Sequence, residues 1–83
     1  MFEIVFRGPA KKFLKKLKNA EQKFIISKIK KLRDNPYLGE RLSGNLHGFY
    51  KLRYDKYRIL YKIKEQELII YVMNIGHRKN VYG

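Results

Sequence analysis

Lys51, Arg53 and Arg58 place three cations within eight residues of one another. Groups of this kind hold a phosphate. A guanidinium fork makes paired hydrogen bonds to its oxygens, and lysine adds a point charge. Near the other end of the chain His77, Arg78 and Tyr82 add an imidazole, a further guanidinium and a phenol. Metal-free cleavage of RNA needs only such groups. A base takes the proton of a 2′-OH, and fixed cations stabilise the charge that builds on the phosphate. An acid then protonates the departing 5′ oxygen, while an aromatic ring stacks on a base and holds the geometry. Lys51, crowded by Arg53 and Arg58, is expected to have its charged form disfavoured, which makes it a candidate base. Arg53 cannot take that role, because guanidinium does not deprotonate in proteins.

The elements that carry these residues follow from the pattern. Tyr50 to Tyr54 and Tyr57 to Lys64 both alternate apolar and polar residues, as half-buried strands do. With Asp55-Lys56 as a two-residue turn, Arg53 falls opposite Arg58, and Lys51 becomes the diagonal neighbour of Arg58. Tyr50, Leu52, Tyr54, Tyr57, Ile59 and Tyr61 then share the other face, toward a core. Like charges opposed on a sheet destabilise it. Keeping them together implies a trade of stability for an anion site. The alternative is a solvated or generic binding face, and His77 taken alone reads equally as an ordinary loop histidine.

Before the hairpin, Phe2 to Phe6 reads as a short strand ended by Arg7-Gly8-Pro9. Ala10, Phe13, Leu14 and Leu17 recur at helical spacing, with lysines on the opposite face. Asn19 and Gln22 form a capping-box pattern for a second helix. The apolar stripe of that helix is Phe24, Ile25, Ile29 and Leu32, with Ile26 off the stripe and free to face a partner. Asp34-Asn35-Pro36 stops it. Pro36 to Gly48 reads as a loop and Glu65-Gln66 as a second tight turn. Glu67 to Ile75 is apolar on both faces, with Leu68, Ile70 and Val72 on one side and Ile69, Tyr71, Met73 and Ile75 on the other. That suits a central strand. The expected fold is α+β in the order β-α-α-β-β-β, an antiparallel sheet with an N-terminal helical hairpin on one face, all in a single domain over residues 1–83.

Composition narrows the function. Lys and Arg number 20 against 7 Asp and Glu, a formal net charge of +13. Balanced thermophile surface networks do not give such an excess. It points instead to nucleic acid or an acidic protein. The apolar runs are too short for a spanning helix, and the start lacks a secretory leader. The expectation is therefore a cytoplasmic protein without a membrane partner. The chain has no Cys. Its carboxylates are scattered at turns and element ends, and His47 and His77 lack zinc-ligand spacing. No cofactor is expected.

Pro36, Gly39, Leu42, Gly44, Gly48, Tyr50, Lys51, Leu52, Arg53, Tyr57, Arg58 and Tyr61, closing with Gly76-His77-Arg78 and Val81-Tyr82, give a chain that resembles the RelE/ParE superfamily of toxin–antitoxin toxins, most closely its RelE branch. The resemblance implies a ribosome-dependent mRNA endonuclease that cuts A-site mRNA by 2′-OH attack on the phosphodiester, with mRNA and the ribosome as partners. It also implies a cognate acidic, RelB-like antitoxin. Lys51 falls on the family lysine assigned to base and phosphate contacts, and Arg53 where the best-known member has a second lysine. Arg58 matches the phosphate-stabilising arginine, Arg78 the arginine near the leaving group and Tyr82 the base-stacking tyrosine. His77 stands where that member has a lysine, and related toxins use a nearby histidine as acid or base. His77 is thus an alternative to Lys51 for proton transfer. Two other functions stay open: a ParE-like toxin that inhibits gyrase, and a non-enzymatic nucleic-acid-binding domain.

Overall fold

A computed structural model describes residues 1–77. Two helices, α1 (Gly8–Lys15) and α2 (Asn19–Lys30), lie on one face of a sheet. Its strands are β1 (Glu3–Phe6), β2 (Glu40–Arg41), β3 (Phe49–Tyr54), β4 (Tyr57–Lys64) and β5 (Ile69–His77), in the order β1-β5-β4-β3-β2. The sheet is mixed rather than wholly antiparallel, because β1 runs parallel to β5. The two-residue β2, inside the stretch read as loop, pairs with β3 through Glu40 and Lys51 and through Arg41 and Tyr50. Neither feature has a local pattern. Strand direction depends on where the connecting helices return the chain, and two residues are too few to show a period.

The core lies between helices and sheet. Ile25, Ile29 and Leu32 meet Ile59, Tyr61, Ile70 and Val72 there, all fully buried, with Ala10 of α1. Truncating one such isoleucine to Ala costs about 2–5 kcal/mol. Phe24 departs from the expected stripe and is 63% exposed. Ile26 packs against the core instead. One residue is 100° of helix rotation, and the anchors at Ile25, Ile29 and Leu32 set which way the helix turns. The expected capping box is also absent. Lys18 is the N-cap residue of α2, and no side chain caps it. Gln22 donates from Nε2 to the Leu14 carbonyl at 2.8 Å, closing the C-terminal end of α1.

After α2 the chain makes a turn over Pro36–Leu38, stapled by the Asn35 side chain, which accepts from the Tyr37 amide at 3.3 Å. Gly39 follows, pressed against the hairpin. A Cβ there would stand 2.6 Å from the Lys51 carbonyl oxygen and 2.7 Å from the Tyr61 hydroxyl.

The hairpin has the expected register, with Tyr54 opposite Tyr57 and Arg53 opposite Arg58. Asp55 turns it with φ 56°, a conformation that aspartate tolerates better than most residues. The next turn, Glu65–Glu67, ends at Leu68 with φ 56°. β5 then breaks its alternation. Leu60 pairs with Asn74 and Tyr61 with Val72, so Met73 is an extra residue on β5. This bulge swaps the faces of everything beyond it. Ile75 therefore joins Ile70 and Val72 in the core, against the expectation that it would face the other way.

Candidate active site

The face of the sheet away from the helices carries the cations in ordered rows. Arg53, Arg58 and Gly76 lie side by side in register across β3, β4 and β5. The next row is Glu40, Lys51, Leu60 and Asn74. Directly opposed strand residues place their Cβ atoms about 5 Å apart, so Arg53 and Arg58 can bracket one phosphate. Gly76 contributes no side chain to this row. Arg53 is exposed and Arg58 half-buried. The Lys51 side chain is only 10% exposed, with its Nζ 3.4 Å from the Glu40 carboxylate. A lysine so enclosed is fixed in direction.

Glu40 is the residue of this site that the sequence did not disclose. It reaches Lys51 only because β2 pairs with β3, and it offsets repulsion among the three cations.

His77 does not join them. Beyond the bulge it faces the helices, opposite Tyr57. Its ring lies 5.5 Å from that of Tyr57, and edge-to-face with Phe13 of α1 at 6.0 Å. Beneath it the Tyr57 hydroxyl donates to the Glu21 carboxylate, and the Lys56 Nζ lies 3.8 Å from the same carboxylate. The hydrogen bond from Tyr57, with Lys56 beside it, holds the Glu21 carboxyl below the ordinary 4.5. The same bond, with burial, pushes the Tyr57 hydroxyl up to about 12. Arg78 and Tyr82 lie outside the described residues.

A second tyrosine ties the site to the loop before it. The Tyr61 hydroxyl, pushed up to about 12 chiefly by burial, donates to the Pro36 carbonyl at 2.7 Å and accepts from the Gly39 amide at 3.0 Å. The Tyr61 ring stacks on Tyr50 at 5.4 Å, and the Arg41 guanidinium lies over Tyr50 at 5.9 Å. This column holds β2 in place, and with it Glu40.

Residues 4–83 match a family described as the ParE-like toxin of type II bacterial toxin–antitoxin systems. The chain belongs to that family. The toxin is 32% identical over 80 residues to a RelE-like toxin protein of Escherichia coli, covering 94% of this chain and 84% of that one. Its fold matches the toxin of the RelBE2 toxin–antitoxin complex from Mycobacterium tuberculosis, with a TM-score of 0.84 and 24% identity over 93% of this chain and 98% of that one. It also matches the isolated Escherichia coli RelE toxin, with a TM-score of 0.77 and 17% identity over 93% and 84% of the two chains. The archaeal RelE–RelB complex from Pyrococcus horikoshii gives 0.79 and 18%, over 96% and 98%. At these identities the solved structures establish the shared fold. The toxin is a RelE-like member of the superfamily.

Proposed function

We propose that the toxin is a ribosome-dependent mRNA endoribonuclease whose basic row on the open sheet face holds the scissile phosphate. The reading rests chiefly on Arg53 and Arg58 standing in register with Lys51 diagonal to Arg58. Like charges are set together on a strand pair that would be more stable without them. In the reaction the 2′-OH attacks the adjacent phosphorus, the P–O5′ bond breaks, the departing O5′ takes a proton from water, and a 2′,3′-cyclic phosphate and a free 5′-OH result. Acting as the neutral amine, Lys51 takes the 2′-OH proton, and Glu40 pairs with the ammonium that forms. Arg53 and Arg58 hold the non-bridging oxygens as their charge grows. Arg78 supports the leaving oxygen and Tyr82 stacks on a base, the roles that match the family pattern. Sharing the open sheet face with Arg53 and Arg58 supports Lys51 as the base, with His77, whose ring packs on Phe13 and Tyr57, as the alternative.

We propose, further, a cytoplasmic site of action and a cognate acidic RelB-like antitoxin. The charge of +13 supports such a partner. Phe24, exposed on α2 among lysine-rich helix faces, offers its amphipathic segment an anchor.

The test is translation-dependent cleavage of mRNA by the purified toxin. Arg58→Ala and Arg78→Ala should each abolish it in a folded protein. Intact cleavage in both would remove the site assignment. A second reading has its own support in the ParE-like description of the matching family: inhibition of gyrase. DNA damage signalling with mRNA left whole would decide for it.

A further inference from the structure

The open sheet face continues past the three cations. In register with one another across β3, β4 and β5 lie Phe49, Lys62 and Tyr71. Lys62 places its Nζ 4.8 Å from the centre of the Phe49 ring. Arg7, just after β1, lays its guanidinium over the Tyr71 ring at 5.7 Å. Arg7, Lys62 and Tyr71 border a groove of about 270 Å³ with Lys64, Glu67 and Met73. Lys62 is four residues from Arg58 on the same strand and face, about 13 Å along it.

Each ring fixes a cation that would otherwise sample many rotamers. The Arg7 plane, exposed above Tyr71, is itself a surface on which a nucleobase stacks. Lys62, between the two rings in the row, is placed for a phosphate. Three cations face one carboxylate here, Glu67, at the end of the groove away from Arg58. Charge, stacking surface and continuity with the phosphate row fit single-stranded RNA. An acidic peptide would use the charge and leave the stacking plane idle.

We infer that Arg7, Phe49, Lys62 and Tyr71 form a second nucleotide subsite, which holds a base and a phosphate further along the RNA strand that is cut. The inference rests on the RNA-cleaving reading above. It is a positioning subsite, remote from the reacting atoms.

Two exposed-face substitutions test it: Arg7→Lys keeps the charge and loses the plane, and Lys62→Gln loses the charge. The probes are oligouridylates methylated at every 2′-OH, one of about eight nucleotides and one of about three, with affinities measured by competition. Arg7→Lys should weaken the long probe about fivefold or more. Lys62→Gln should weaken it too and lower the salt slope by about one. The short probe, which Lys51, Arg53 and Arg58 alone can cover, should bind both variants as it binds wild type. Unchanged binding of the long probe overturns the subsite. So does equal loss on both probes, or equal loss on a polyglutamate peptide, which would mark a surface for acidic protein. A folded wild type that binds neither RNA overturns the subsite, whereas absence of translation-dependent cleavage defeats the RNA reading itself. Wild-type cleavage with unaltered variants defeats only the subsite.

Discussion

The Gly39 amide donates to the Tyr61 hydroxyl at 3.0 Å, and the same hydroxyl donates to the Pro36 carbonyl at 2.7 Å. One phenol from the centre of the sheet thus satisfies two backbone groups of the loop that becomes β2. Since β2 carries Glu40 to Lys51, the bond links the core to the candidate site.

Tyr61→Phe leaves the Gly39 amide and the Pro36 carbonyl without that hydroxyl, and should lower stability by about 1–3 kcal/mol. Gly39→Ala forces a Cβ into backbone and ring and should cost about as much. The double variant should cost less than the two together, because both break one contact. Urea unfolding at neutral pH measures all three.

Stability should fall at both ends of the pH scale. Tyr57 and Tyr61 have folded values raised from 10.0 to about 12. A raised value means the folded state keeps the proton longer. Their contribution is complete below about pH 10 and is lost as pH rises through about 12. Glu21 has the opposite sign, its folded value lying below 4.5. Its contribution is complete above about pH 4.5 and is lost as pH falls through the lowered value. Circular dichroism across pH, with Tyr61→Phe and Glu21→Gln each flattening one limb, checks the assignment.

Arg53 and Arg58 should separate stability from activity. Arg53→Thr removes one of two opposed charges from an exposed position and should stabilise the hairpin by about 0.2–1 kcal/mol. Arg58→Ala should reduce cleavage by roughly 10²-fold or more. Paired unfolding and cleavage measurements would show the two effects. A destabilised Arg53→Thr would mean that the charges are not a stability cost.

His77→Phe should keep the aromatic packing on Phe13 and Tyr57 and leave the pH dependence of cleavage unchanged. His77→Ala should lower the melting temperature by a few degrees, as expected for about 1 kcal/mol in a chain of this size. A lost limb in the pH–rate profile of His77→Phe would return the proton transfer to the imidazole.

The chain's own pattern determined the hairpin. Period-2 alternation and a two-residue turn are local, so the pairing of Arg53 with Arg58 and the diagonal place of Lys51 follow from spacing alone. Helical spacing likewise marked Ile25, Ile29 and Leu32 as core. Three features were decided only by the tertiary structure. The parallel pairing of β1 with β5 joins the two ends of the described chain. Glu40 meets Lys51 through a strand too short to have a period. Met73 bulges because β4 and β5 must each fill the core on both sides of it, and that one inserted residue carries Ile75 inward and turns His77 away from the basic row. Alternation is a property of one strand. Which face it presents depends on how its partners are packed, and no single strand encodes that.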